Sequence, residues 1–222
     1  MNKNSHQWEL WADFTKTTQR EYQWAFKVTN ILESLDLLPA SSILDVGCGT
    51  GEFTSCFQSQ CDILMGLDVN DYRENDNFEF YNMELKDFDE TVPSVIIFKQ
   101  SFHLIPNVFE ILNSKRFRKS ALIILQMPKP IWEPNTELWS KSPYNAEANK
   151  LLLQQIGKKV TIQRETMEYS LKTDYYKDLI LGGYTSDLRK LSEQERLIVW
   201  NSLHLTQDSI LYKDDLDIII AT

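Results

Sequence analysis

The chain has 222 residues, 42% of them hydrophobic and 25% charged, a globular composition with enough apolar material for one domain with its own core. Its formal net charge of −9 repels a phosphate backbone at long range, which argues against a DNA or RNA substrate. Three cysteines without framework spacing (Cys48, Cys56, Cys61) argue against a secreted disulfide scaffold, and no stretch approaches the ~20 apolar residues of a membrane span. With no apolar run of signal-peptide length in MNKNSHQWELW, the expectation is a soluble cytoplasmic protein.

Taken in chain order, residues 20–35 read as an amphipathic helix, because Trp24, Val28, Ile31, Leu32 and Leu35 recur at spacings of three and four. Leu38–Ser42 reads as a connection. Ile43–Val46 is a compact apolar run ending in glycines, which predicts a buried strand, and Glu52–Ser59 predicts the helix after it. Further strands are expected at Ile63–Leu67, Phe78–Tyr81, Val95–Phe98 and Ala121–Leu125, with a helix around Val108–Asn113 between the last two. Strands that alternate with helices and are apolar throughout predict a parallel sheet covered on both faces.

Beyond residue 126 the pattern changes. Residues 127–147 hold four of the seven prolines and little periodicity, and read as a long functional loop. Val160–Thr166 alternates as a strand does. Tyr175–Leu181 reads as a helix stopped by Gly182 and Gly183. Ser192 and Glu195 have capping-box spacing and open a helix through Leu203; Leu216–Ala221 closes the chain as a strand.

The chemistry concentrates in Asp45-Val46-Gly47-Cys48-Gly49-Thr50-Gly51, which leaves a strand and enters a helix. Glycines there let the backbone turn tightly and let a ligand approach the main chain. A dinucleotide site wants Gly or Ala where this chain has Glu52, and a carboxylate at a helix N-terminus repels a pyrophosphate. The run ILDVGCGTG resembles the glycine motif of the class I S-adenosylmethionine-dependent methyltransferases. The resemblance covers residues 40–126. It implies a doubly wound, mostly parallel seven-stranded α/β sheet of Rossmann-like form, with N-terminal helices and a C-terminal helical cap insert. The expected organisation is a single domain, 1–222. Its core is 40–126 plus the C-terminal strands, and 1–38 and 127–205 contribute a substrate cap.

The same resemblance implies S-adenosylmethionine as cofactor and S-adenosylhomocysteine as product. Gly47, Cys48, Gly49 and Gly51 then pack against the amino-acid part, and Asp45 holds its ammonium end directly or through water. Asp68 ends the second strand, where an ionised carboxylate can accept both ribose hydroxyls. Glu84 follows the third strand where the family often has Asp for the adenine amino group, with the backbone N–H of Leu85 meeting the ring. Glu is a departure there, and Asp87 competes. Lys99 borders the methyl donor. His103, in Lys99-Gln100-Ser101-Phe102-His103-Leu104, stands where small-molecule members often carry a histidine. It reads as a general base, a polar wall that orients the acceptor, or a helix-start residue satisfied by backbone.

The segment lacks the [D/N]-P-P-[Y/F] tetrad of the family's base-amino nucleic-acid enzymes. With the net negative charge, this favours a small-molecule acceptor over nucleic acid. The lack of a long apolar run predicts no membrane partner, and His6, His204 and the scattered cysteines, without metal-ligand spacing, predict no metal site; the oligomeric state is left open. Tyr22, Trp24, Trp132 and Trp139 are the expected acceptor walls, and Tyr175–Glu195 resembles the helical cap of trans-aconitate-type carboxyl methyltransferases. A nucleotide-cofactor oxidoreductase, a protein methyltransferase and a catalytically silent cofactor-binding scaffold are the alternatives.

Overall fold

The computed structural model describes residues 5–74, 76–128, 145–184 and 186–222. Helices α1 (Ser5–Thr18) and α2 (Arg20–Ser34) lead into β1 (Ala40–Val46), α3 (Glu52–Ser55), β2 (Cys61–Asp68) and β3 (Glu79–Asn82). Then come β4 (Val95–Lys99), α4 (Val108–Leu112), β5 (Ala121–Gln126), α5 (Ala146–Gln155) and β6 (Val160–Lys172). The chain ends with α6 (Thr173–Gly182), α7 (Ser186–Lys190), α8 (Glu193–Ser202) and β7 (Ser209–Ala221).

Seven strands form one mixed sheet in the order β3-β2-β1-β4-β5-β7-β6. The pairs β1–β2, β2–β3, β1–β4 and β4–β5 are parallel, and β7 runs antiparallel to β5. This is the Rossmann-like methyltransferase sheet that the glycine motif implies. The order reverses direction between β1 and β4, which makes the C-terminal ends of those strands the crevice where open α/β sheets take their ligands. Val95–Phe98 and every residue of β5 are buried, as central parallel strands covered on both faces require.

The described chain divides into two compact units: Met1–Gln23 with Thr166–Asp214, and Trp24–Glu165 with Asp215–Thr222. The larger unit carries the parallel strands. Its core gathers Leu44, Met65, Ile96, Phe98, Leu122 and Ile219. The smaller unit has an aromatic core in which Phe14, Tyr169 and Tyr184 are buried and Tyr176, Trp200 and Tyr212 pack against them. Inside it Arg20 is buried; Asp214 Oδ2 accepts from its Nε at 2.7 Å, and its guanidinium lies 5.1 Å over the Trp11 ring.

Several boundaries differ from the sequence expectation. β1 starts at Ala40, because Ala40 already pairs with Cys61 of β2 and its N–H donates to the Gln60 carbonyl at 2.9 Å; two residues on, Ser94 Oγ donates to the Ser42 carbonyl at 2.6 Å. α3 stops at Ser55, four residues early. α5 begins inside the segment read as a loop; Asn145 caps it by accepting from the Ala148 N–H at 3.1 Å. β6 and β7 run 13 residues each, well past the expected strand lengths. The capping box is present, with the Ser192 hydroxyl accepting from the Glu195 N–H and the Glu195 carboxylate accepting from the Ser192 N–H.

Candidate functional site

The loop between β1 and α3 is shaped by positive φ angles: +78° at Gly47, +55° at Gly49 and +78° at Gly51. At Gly47 the reason for glycine is also steric. A Cβ there would stand 2.4 Å from Ser101 Cβ, so the loop and the segment after β4 touch closely. At Gly49 no atom lies within 4 Å of the Cβ position, so that stretch of backbone faces open space. The Gly47 N–H donates to the Leu67 carbonyl at 2.7 Å and ties the loop to the end of β2.

Asp45 is buried, and its Oδ2 accepts from the Thr54 hydroxyl at 2.6 Å, joining β1 to α3 across the turn. Asp68 is fixed from two sides. The Gly49 N–H donates to Oδ2 at 3.0 Å, and the Asn70 N–H donates to Oδ1 at 3.0 Å. An ionised carboxylate has about four acceptor positions, so each oxygen keeps capacity for one more donor. Cys48 is buried beside both carboxylates; burial pushes its thiol pKa up, and the Asp45 and Asp68 charges add to the rise. It is therefore a protonated packing group, not a nucleophile.

Glu84 is exposed and ion-paired with Lys86 at 2.8 Å, while the Leu85 side chain is buried in the core. Leu85 thus has only its backbone to offer a ligand. The Lys99 ammonium lies 5.4 Å from the centroid of the Phe53 ring on α3. His103 is half-buried in a single 3-10 turn, Phe102–Leu104, anchored by Phe102 in the core.

The acceptor-wall residues separate. Tyr22 is exposed, but Trp24 is fully buried and offers no surface to an acceptor. Residues two apart on a helix do not share a face, so this pair cannot line one wall, and Trp24 is corrected to a core residue. Trp132 and Trp139 lie outside the described residues. Sequence reasoning passed over Gln100, Ser101 and Thr54. Only the positive φ and close packing of the folded chain mark the first two, and no spacing signal does. Among the described residues no group of three or more His, Cys, Asp or Glu is placed to hold a metal ion, and no helix is long and apolar enough to cross a membrane.

A family model described as a methyltransferase domain matches residues 17–161, more than half of the chain. The chain belongs to the S-adenosylmethionine-dependent class I methyltransferases. No curated protein matches it. Among solved structures it resembles YcgJ from Bacillus subtilis, with a TM-score of 0.56 at 12% identity over 87% of this chain and 97% of that one. It also resembles the plantazolicin methyltransferase BamL, solved with a triazolic desmethylPZN analog and SAH. There the TM-score is 0.55 at 16% identity, over 100% of this chain and 91% of that one. At these identities the likeness is one of fold. The methyltransferase's own loop fits the cofactor on independent grounds: an open backbone face at Gly49, and a fixed carboxylate at Asp68 with acceptor capacity to spare.

Proposed function

We propose that this methyltransferase transfers the methyl group of S-adenosylmethionine to an oxygen or nitrogen of a small-molecule acceptor. The observation that carries the cofactor's placement is the Gly47–Gly51 loop with Asp68 held against Gly49. When bound, S-adenosylmethionine supplies a methyl group made electrophilic by its sulfonium. The chain's part is to hold the two reactants in line and keep water out. Asp68 accepts the ribose hydroxyls, Asp45 attracts the ammonium end, and Glu84 or the Leu85 N–H borders the adenine. The small-molecule reading draws on the net charge of −9 and on the missing nucleic-acid tetrad. BamL, which shares this fold, was solved with a triazolic desmethylPZN analog and SAH, and this supports the cofactor side of the reading.

Calorimetric titration is expected to show binding of S-adenosylhomocysteine and none of comparable strength for NAD. A methyl-transfer assay over a panel of amines, carboxylates and alcohols then identifies the acceptor. Binding without transfer to any acceptor class, proteins and nucleic acids included, would mark the chain as a silent binder.

Asp68→Ala is expected to remove two charge-assisted hydrogen bonds to the ribose. It should weaken S-adenosylhomocysteine by ~1.5–3 kcal/mol or more, at least tenfold in Kd. The melting temperature without ligand should change little by comparison, because Asp68 ends a strand outside the core. A folded mutant with wild-type affinity would place the ribose elsewhere.

His103 is the candidate base for an alcohol or ammonium acceptor; a carboxylate acceptor needs none. With a base role, His103→Ala lowers kcat by ~10²–10⁴-fold and leaves cofactor affinity intact. A rise in acceptor KM at constant kcat would instead make it an orienting residue. A fall in melting temperature with the rate per folded molecule unchanged would make it structural.

A further inference from the structure

We propose that the end of the sheet away from the crevice is a dimer interface, closed by a second copy of this chain. The crevice lies at the C-terminal ends of the parallel strands. This face is built where those strands begin, inside the larger unit, and it does not depend on the cofactor placement.

Parallel pairing brings the strand starts to one edge: Ala40 pairs with Cys61, and Val95 with Ala121. β7 runs the other way, so its last residues join them. Ala221 pairs with Leu122, and Thr222 exchanges both backbone hydrogen bonds with Lys159, just before β6. The sheet order then sorts charge along that edge. Glu33 and Asp36 lead into β1, Asp62 is the second residue of β2, and Asp89 and Glu90 precede β4. Lys115, Arg116, Arg118 and Lys119 precede β5, and Lys159 precedes β6. In the order β2-β1-β4-β5-β7-β6, one half of the edge is acidic and the other basic. Arg116 is half-buried and the rest of these side chains are exposed. None of them forms an ion pair among the described residues.

The two halves meet at Arg116. Its guanidinium lies 5.5 Å from the Phe88 ring centroid and 5.8 Å from that of Phe117, and it donates to the Glu90 carbonyl. The approaches to β4 and β5 are thereby packed into one surface. Behind the basic half Lys158 is buried, its ammonium donating to the Ser120 carbonyl at 2.5 Å. A desolvated cation on a neutral acceptor is stabilised when carboxylates are brought against it.

A face split into halves of opposite sign is complementary to itself. A two-fold axis normal to the sheet, between the starts of β4 and β5, lays the acidic half of each copy on the basic half of the other. Val92, 52% exposed and three residues before β4, stands beside that axis and supplies an apolar centre. A polyanion fits this face worse, because it would cover the carboxylates along with the cations. The six strand ends span ~24 Å, close to the width of a standard interface of ~800 Å² per partner. The net charge of −9 sets two copies against each other at long range, but the Debye length near 0.15 M salt is ~8 Å, so the facing charges govern contact.

The test is sedimentation equilibrium of the full chain at ~1–100 μM, where a transient interface of this size associates. The wild type is expected to form a dimer in about 0.15 M salt and to dissociate in about 1 M, where the Debye length falls to ~3 Å. Arg118→Glu with Lys119→Glu, and Asp89→Lys with Glu90→Lys, should each weaken the dimer by about tenfold or more, because like charges then face each other. An equimolar mixture of the two double variants should regain the dimer, because the reversed charges meet each other on one side of the axis and native charges meet on the other. That rescue also shows that both variants fold. A wild type that stays monomeric, with or without binding to a DNA oligonucleotide, overturns the proposal. So does a dimer indifferent to salt or to either reversal, or a mixture that associates no better than the variants apart.

Discussion

Gly47→Ala is expected to destabilise the protein by roughly 2–5 kcal/mol and to remove measurable cofactor binding. Two costs add. A Cβ at φ +78° is strained by ~1–2 kcal/mol. That Cβ would also stand 2.4 Å from Ser101 Cβ, an overpacking that typically costs ~1–3 kcal/mol. Relief requires the loop or the segment after β4 to move. The Ser101 hydroxyl donates to the Val46 carbonyl, and the Gly47 N–H donates to the Leu67 carbonyl, so any shift breaks a hydrogen bond. Gly49→Ala is the control. Its Cβ meets nothing within 4 Å, so the protein should lose only the strain of φ +55° while the new methyl occupies the open backbone face. Thermal denaturation with and without S-adenosylhomocysteine separates the two. If Gly47→Ala melts with wild type, the close contact with Ser101 is not a constraint on the loop.

Arg20→Ala is expected to cost ~3–5 kcal/mol, the usual result of removing one member of a buried ion pair. Arg20 and Asp214 are both buried, and the contact is doubly bonded, with Nε to Oδ2 at 2.7 Å and Nη2 to Oδ1 at 3.3 Å. Burial acts to lower the Arg20 pKa; the Asp214 and Glu21 carboxylates together raise it by more, and the guanidinium stays charged. The loss of the side chain also strips the Trp11 ring of the group stacked over it. Glu21 is buried too and its Oε1 lies 3.4 Å from Arg20 Nη1, so replacement of all three charged groups, Arg20→Met with Glu21→Leu and Asp214→Leu, should recover much of the loss, because the desolvated charges then leave together. Chemical denaturation of the single and triple variants decides this. If Arg20→Ala costs less than 1 kcal/mol, a surface-like value, the pair is screened by water and the buried reading fails.

The elements legible in the sequence share a cause. β4 and β5 were legible because a central parallel strand must be apolar at every position, and VIIF and ALIIL are. The Ser192–Glu195 capping box was legible because its two hydrogen bonds span only three residues. The glycine loop was legible because strand, aspartate, glycines and helix follow within a dozen residues. What was misread depended on partners distant in sequence. The start of β1 hangs on β2, where Ala40 pairs with Cys61. α5 presents Leu151 and Leu152 as exposed residues, so its apolar run does not mark its buried face. Trp24 carries two conflicting signals, an aromatic type suited to a pocket wall and a place on the apolar helix face with Val28 and Leu32, and packing decides for the core.

The sequence by itself determined the family, the cofactor and the strand ends at which Asp45 and Asp68 stand, because each rests on short-range backbone geometry that few residue types satisfy. Tertiary structure alone decided that Gly47 meets Ser101, that Gly49 donates to Asp68 19 residues away, and that Arg20 finds Asp214 194 residues away. It alone set Gln100 in a left-handed turn with its amide nitrogen buried. The physical reason is the same in each case. Parallel strands bring residues from separate crossovers to one edge of the sheet, and long-range pairing brings a buried charge to its counter-ion. Neither separation leaves a local pattern in the chain.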